Sequence, residues 1–279
     1  MSKWRPNPEP GNCIYVIPDV HGCSEQLKLI LNRILPLRDQ DKLVFLGDYT
    51  DRGPDSPGVL DICVKLREKY TSEQCIFIRG NHDALLLSVA GRNNVGFDPS
   101  LPSDYSILMN NGGDLTFQQY AARQGVELKN PKHLTIDRAV SFLDIKHLDF
   151  LEKETQLIAK IDNYIFVHAS YDPNIAIDQQ QEEILVWDRS LYNTVKSLAS
   201  KGQELFWAKD YTIVAGHNYE GPFFTPGFLM LDSSGSGKLV VLELNTMEAF
   251  SASPGHNRLV KLKINETKPI FSSNAVVVQ

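Results

Sequence analysis

Apolar and polar positions come in alternating blocks through the first third of the chain. Cys13 to Ile17 is a compact apolar run that predicts a strand, and Pro18-Asp19-Val20-His21-Gly22 breaks it. Ser24 then stands where a helix cap belongs, ahead of Leu27, Ile30, Leu31 and Ile34 at helical spacing. Lys42 to Leu46 is a second strand, closed by Gly47-Asp48-Tyr49-Thr50-Asp51-Arg52-Gly53, and Val59, Leu60, Ile62, Cys63 and Leu66 stripe the next helix. Cys75 to Ile78 is a third strand ending in Arg79-Gly80-Asn81-His82-Asp83, and Ala84 to Val89 reads as the helix after it. Strand–helix units in succession imply a largely parallel sheet. Such sheets bind ligands beyond the carboxyl ends of their strands, so these loops should converge.

From Gly91 to about Pro131 the pattern changes: Asn-, Gly- and Pro-rich stretches flank a predicted helix, Leu115 to Arg123, and the segment reads as a cap insertion over the site. A helical region around Ser141–Ile158 leads into the strand Tyr164 to Val167, which ends at His168-Ala169. Thr212 to Ala215 is another strand, ending at Gly216-His217. Phe228–Leu231 and Leu239–Leu244 flank a Ser/Gly-rich turn and read as an antiparallel hairpin belonging to a second sheet. Arg258 to Ile264 suggests one more strand, and no internal repeat or domain boundary stands out, so 1–279 reads as a single domain.

Composition narrows the classes. At 279 residues, 42% hydrophobic and 22% charged, the chain has the make-up of a soluble globular domain with a sizeable core. A net charge of −6 argues against nonspecific binding to nucleic acid or to an anionic membrane. No apolar run reaches the roughly 18 residues of a membrane span. Met1-Ser2-Lys3-Trp4-Arg5-Pro6 lacks the apolar core of a secretory signal. Cys13, Cys23, Cys63 and Cys75 have no metal-ribbon spacing, so free thiols and a cytoplasmic location are expected. Phosphate-cradling glycine loops and a thiolate phosphatase loop are absent from the sequence.

What remains is a set of charged and metal-philic residues just past the strands. Of the seven histidines, four sit there: His21, His82, His168 and His217. Singly, such a histidine is more often structural. Together with Asp19, Asp48, Asp51 and Asn81 they suggest mixed imidazole–carboxylate ligation, which suits Mn²⁺, Fe or Zn²⁺ better than Ca²⁺ or Mg²⁺.

Asp19-x-His21-Gly22, Gly47-Asp48-x-x-Asp51-Arg52-Gly53 and Gly80-Asn81-His82-Asp83 resemble the motifs of the phosphoprotein phosphatase family of metallophosphoesterases. His168-Ala169 and Gly216-His217 look like its two later histidine motifs, so the likeness runs in order from about Ile14 to Leu244. Leu108-Met109-Asn110-Asn111-Gly112-Gly113 and Val186-Trp187-Asp188-Arg189 look like the small bacterial and phage Ser/Thr phosphatases. Pro18, Ala169-Ser170 and Asn218 depart from the family pattern without removing a ligand.

The resemblance implies a four-layer α/β/β/α metallophosphoesterase sandwich with a helical cap, and two divalent ions, Mn²⁺ favoured with an Fe/Zn pair as the alternative. By position, Asp19 and His21 would hold one metal, Asn81, His168 and His217 the other, and Asp48 would bridge them. A hydroxide shared by the metals would attack phosphorus. Arg52 and Arg189, with Asn81, would bind the phosphate, although Arg123 or Arg92 could also reach the site. His82 would protonate the leaving oxygen and Asp51 would orient it. The implied activity is phosphomonoester hydrolysis, with a phosphoserine/phosphothreonine protein phosphatase leading. The expected partner is a phosphoprotein or small phosphate ester, without nucleic acid or membrane. The alternatives are a symmetrical dinucleoside tetraphosphatase, whose sequences commonly replace the Asp of Asp-Arg-Gly, and a non-catalytic scaffold on the same fold.

Overall fold

The computed structural model describes residues 12–92, 102–262 and 276–277. The chain begins β1 (Ile14–Ile17), α1 (Ser24–Ile34), β2 (Lys42–Phe45), α2 (Ser56–Lys69), β3 (Cys75–Ile78) and α3 (Asn81–Val89). It continues through α4 (Pro102–Leu108), a π-turn Met109–Gly113, α5 (Asp114–Arg123), α6 (Ile136–Val140) and α7 (Ile145–Lys153). Then come β4 (Thr155–Gln156), β5 (Ile158–Ile161), β6 (Tyr164–Val167), α8 (Glu182–Trp187) and α9 (Ser190–Ser200). The last elements are β7 (Thr212–Ala215), β8 (Phe223–Thr225), β9 (Phe228–Met230), β10 (Leu239–Glu243), β11 (Glu248–Ala252), β12 (Val260–Leu262) and β13 (Val276–Val277).

Among the described residues, eight strands form one sheet, β13-β12-β11-β10-β1-β2-β3-β4, and five form a second, β5-β6-β7-β9-β8. β1, β2 and β3 pair in parallel, as the repeated strand–helix pattern requires. β6, β7 and β9 form a second parallel set.

Successive side chains on a strand point to opposite faces. Leu43 and Phe45 of β2, with Cys75 and Phe77 of β3, join α1, α2, α3 and α7 in one core. Their neighbours Val44, Ile76 and Ile78 turn the other way and meet Tyr164, Phe166, Val214 and Leu229 of the second sheet. On that sheet's far face, Ile165, Ile213, Phe228 and Met230 pack against Leu185 of α8 and Leu191 and Val195 of α9. These cores separate the layers of an α/β/β/α sandwich. Strands covered on both faces must be apolar at every position, which explains their unbroken hydrophobic runs.

Three sequence expectations change. Phe228–Leu231 and Leu239–Leu244 do not make a hairpin: β9 pairs with β7 in the second sheet, while β10 lies antiparallel to β1 in the first. Both runs are apolar because each lies inside its own sheet, and each forms a hairpin with a different neighbour, β9 with β8 and β10 with β11. Ser24 does not cap α1. The cap position is Cys23 with no side-chain bond, and Ser24 Oγ instead donates to Asp55 Oδ2 at 2.7 Å. The region Ser141–Ile158 is helical only over α7, after which the short β4 follows and β5 begins.

Other expectations fall partly outside the described residues. The proposed cap, 91–131, includes 93–101, the opening stretch Met1 to Pro6 lies within 1–11, and the suggested strand at Arg258–Ile264 is seen as β12, with 263–264 beyond description. Among the described residues no helix is long and apolar enough to cross a membrane. The four cysteines are free.

Candidate active site

The parallel strands of both sheets deliver their polar turns to one place. Asp19 and His21 follow β1, Asp48 to Arg52 follow β2, and Asn81 and His82 open α3 after β3. His168 follows β6 and His217 follows β7. Backbone bonds lock these turns together: the His21 N–H donates to Asp48 O at 2.7 Å and the Gly216 N–H to His168 O at 2.8 Å.

The turns are strained. His21, Asp48, Asp51, Arg52 and His217 all hold positive φ (42°, 51°, 70°, 62° and 66°), a region that non-glycine residues avoid. Such outliers persist only where the surroundings over-determine them, and they cluster at functional sites. Two glycines permit the close approach. A Cβ on Gly80 would strike the Asp48 carboxylate, and one on Gly216 would strike that of Asp19.

Asp48 is the centre, 2% exposed. Its Oδ1 accepts from the His82 N–H at 3.0 Å. That leaves Oδ2 facing His21 Nε2 and His168 Nε2, each at 3.5 Å, with His82 Nε2 at 4.0 Å. His21, Asp48 and His82 offer ligand atoms within 4.8 Å of one another, and Asp48, His168 and His217 do the same. Asp48 therefore belongs to both groups.

Hydrogen bonds fix which imidazole nitrogens carry lone pairs into the site. The Nδ1–H of His21 donates to Thr50 O at 2.8 Å and that of His168 to Leu46 O at 2.7 Å, leaving both Nε2 atoms bare. His217 does the opposite, donating from Nε2 to Trp187 O at 3.0 Å and keeping Nδ1 free. His168 Nε2 lies 3.0 Å from Asn81 Oδ1, two acceptors facing each other. Two lone pairs at that range repel unless a cation or a proton lies between them. This donor set fits divalent metal ions of the borderline class.

Electrostatics agrees. Burial, reinforced by His82 and Arg52, lowers His21 to about 3 even against the attraction of Asp48. Burial, with His168 and Arg189, lowers His217 to about 2, and burial also lowers His168. Neutral imidazole is the form that binds metal. His82 differs. Burial would lower it, but the charges of Asp48 and Asp51 and the Asp51 hydrogen bond outweigh that, and its pKa is raised. Asp19 is pushed up by burial and by the nearby charges of Asp232 and Asp48, an uncompensated cluster of buried carboxylates that would be relieved by cations. Asp48 feels the same burial, but the surrounding histidines, led by His168, outweigh it and hold the carboxyl low.

The other expected residues are also brought in. His82 Nδ1 bonds Asp51 Oδ2 at 2.7 Å, both side chains being fully enclosed. Arg52 spreads its guanidinium between two rings, Nη1 at 3.0 Å from His21 Nε2 and Nη2 at 2.8 Å from His82 Nε2. Arg189 donates to Asn218 Oδ1 at 3.1 Å and lies over the Tyr219 ring at 5.7 Å. The competing arginines are committed elsewhere: Arg92 bonds Asp149 and Glu152, and Arg123 bonds Asp61. Asp19 lies outside the two tight groups, its carboxylate accepting the His217 N–H at 3.0 and 3.1 Å. A cleft of about 540 Å³ opens from Asp19, His21 and Arg52 between Val20, Tyr219 and Leu239.

Sequence reasoning missed Asp232, which is buried beside Asp19 just past β9. It carried the same signal as the others, an acid closing an apolar strand, and was hidden by assigning that strand to a hairpin. Asp83 closes the third motif but has no role in the reading of the sequence. It accepts the N–H groups of Asp48, Tyr49 and Gly80 at 2.8, 3.0 and 2.9 Å and so holds the Asp48 turn in shape.

Comparison with known proteins adds a family. The family model described as calcineurin-like phosphoesterase matches residues 14–239. Over 101 residues the chain is 35% identical to serine/threonine-protein phosphatase 1 of Salmonella typhimurium, covering 36% of this chain and 39% of that protein. Over 167 residues it is 29% identical to the symmetrical bis(5'-nucleosyl)-tetraphosphatase of Nitrosomonas europaea, covering 60% of this chain and 48% of that one. The chain thus spans less than half the length of these curated relatives. A crystal structure described as that of a candidate diadenosine tetraphosphatase shares the fold, with a TM-score of 0.52 at 20% identity over 89% of this chain and 97% of that one.

Proposed function

The chain belongs to the calcineurin-like phosphoesterase family, in keeping with the likeness of its motifs to phosphoprotein phosphatases, and on that premise we propose that it is a phosphomonoesterase acting on phosphoserine or phosphothreonine in proteins. Residues 1–279 form one catalytic domain in this reading, with 91–131 as its insertion. The observation that carries it is the buried His82–Asp51 pair at 2.7 Å beside Asp48, the arrangement a monoester needs to release an alcohol.

Asp19 and His21 would hold one divalent cation, Asn81, His168 and His217 the other, and Asp48 both. Such a pair supplies charge to the phosphoryl group and makes water a competent nucleophile near neutral pH. Mn²⁺ suits the donor set, and an Fe/Zn pair would use the same atoms. Arg52 and Arg189 offer planar forks to the phosphate oxygens. Arg52 now donates to His82 Nε2, the nitrogen that must carry the acid proton, so the two cannot coexist. A bound phosphate that draws the fork to its own oxygens would free Nε2 to hold that proton. Asp51 then keeps the ring oriented through Nδ1 and stabilises its charge. The cleft beside Arg52 has room for the alcohol part of an ester.

A second reading, hydrolysis of symmetrical dinucleoside tetraphosphates, draws support from the relatives of that name. The two are separated by kcat/KM on a phosphoserine peptide, a phosphotyrosine peptide, diadenosine tetraphosphate and an aryl phosphate. The phosphoserine peptide should lead. A preference of tenfold or more (about 1.4 kcal/mol) for the dinucleotide overturns the protein phosphatase reading.

A further inference from the structure

The residue that aims the acid comes from the inserted helix. Thr116 of α5 is fully buried, and its Oγ1 donates to Asp51 Oδ1 at 2.7 Å. The same oxygen lies 3.0 Å from the Asp51 N–H, which also reaches Ser56 Oγ at 3.0 Å. Since the single Thr116 hydroxyl hydrogen is given to Asp51, the 3.0 Å contact between Ser56 Oγ and Thr116 Oγ1 must have Ser56 as donor. Asp51 is therefore gripped at one carboxylate oxygen and at its backbone, while its other oxygen faces His82 Nδ1. The grip has something to resist, because Asp51 and Arg52 both hold left-handed backbone.

The insertion makes further contacts with the same loop. Gly112, at φ 105°, approaches so closely that a Cβ there would stand 2.5 Å from the Arg52 nitrogen. Gln119 accepts the Ser56 N–H at 2.7 Å and donates to Gly53 O at 2.8 Å. Thr116 and Gln119 are three positions apart, one face of one helix. Nothing in this hydrogen-bond chain serves the hydrophobic core. It ties α5 to the loop that carries Asp51 and Arg52.

The geometry points to Thr116 as a positioning residue for general-acid catalysis, acting through Asp51 on His82. The inference rests on the phosphomonoesterase reading above. Removing the hydroxyl frees the Asp51 carboxylate to turn, so Nε2 of His82 no longer meets the departing oxygen. An ester with a poor leaving group needs that proton, and one with a good leaving group does not.

The test uses the metal-loaded full chain, wild type and Thr116→Val, on a series of phosphate monoesters from 4-nitrophenyl phosphate to alkyl phosphates. Thr116→Val should lower kcat about 30-fold on alkyl esters and less than about 3-fold on the aryl ester, with KM within about 2-fold. Thr116→Ser, which keeps the hydroxyl, should stay within about 3-fold of wild type throughout. In an Asp51→Asn background the Thr116→Val loss should vanish, since the two act as one unit. Should Thr116→Val fail to fold, Thr116→Cys is read in the same way. Equal losses across the series, or losses that simply add in the double variant, overturn the inference. A wild-type protein that cleaves no monoester overturns the phosphomonoesterase reading as well, whereas an active wild type with no leaving-group effect in the variants sinks this inference alone.

Discussion

Two His–Asp pairs both touch α5, one through Thr116 and the other through Tyr120, and though built from the same residue types they behave in opposite ways. His82 bonds Asp51 at 2.7 Å, and its pKa is raised. His147 of α7 bonds Asp61 of α2 at 3.1 Å, and its pKa is lowered. Both rings lose solvation. The difference lies in the carboxylates. His82 feels two, Asp48 and Asp51, neither more than 2% exposed. His147 faces Asp61, which is 42% exposed and shared with Arg123, so burial wins despite help from Asp144. Its Nδ1 is engaged by the Tyr120 hydroxyl at 2.7 Å. A His–Asp contact alone thus says little. The number of buried charges around it decides whether the ring's proton affinity rises or falls.

The comparison can be broken by experiment, and the largest effects belong at the Asp48 side. Chelation should abolish turnover, by about 10³-fold or more, and added Mn²⁺ should restore it. Activity that persists after verified metal removal would contradict the proposed chemistry. Asp48→Asn should match that loss and lower metal content. Next, His82→Asn should cost about 10²-fold on alkyl phosphates and much less on aryl ones. Equal losses would remove His82 from the acid role and make the two pairs alike. Arg189→Lys should raise KM about tenfold, since an ammonium cannot replace a planar fork.

At the other pair the expected change is in stability alone. His147→Gln should leave kcat/KM unaltered and lower unfolding stability by about 1–3 kcal/mol, the usual cost of stranding buried hydrogen-bond partners. The pH dependence gives a finer test. His147 is depressed in the folded protein, so between that value and about 6.5 the unfolded chain binds the extra proton. Its contribution is complete above about pH 6.5 and is lost as pH falls through that window. The variant should therefore show a shallower acid limb in denaturant melts, and an unchanged limb would mean that His147 is not held neutral.

Much of this was legible in the chain. The strands β1, β2, β3, β6 and β7 were marked by apolar runs, and each is followed by the polar residues that meet at the site. Such signals are local, set by side-chain periodicity and turn chemistry. Less local matters were lost. β10 slots beside β1 although more than two hundred residues separate them, and no pattern within Leu239–Leu244 says which sheet will take it. Asp232 vanished with that error. Thr116 had no mark at all, being one small polar residue in a helix whose partner, Asp51, lies 65 positions away.

By itself, then, the sequence determined which donor atoms the site contains and that each would emerge at the end of a buried strand, because hydrophobic runs and glycine-bounded turns act over a few residues. Tertiary structure decided what each histidine does. Packing left His21, His168 and His217 neutral with a lone pair directed inward, gathered two carboxylates around His82, and gave His147 to a helix interface. Proton affinity depends on burial and on charges brought close from distant parts of the chain, and those exist only once the sheets have closed on each other.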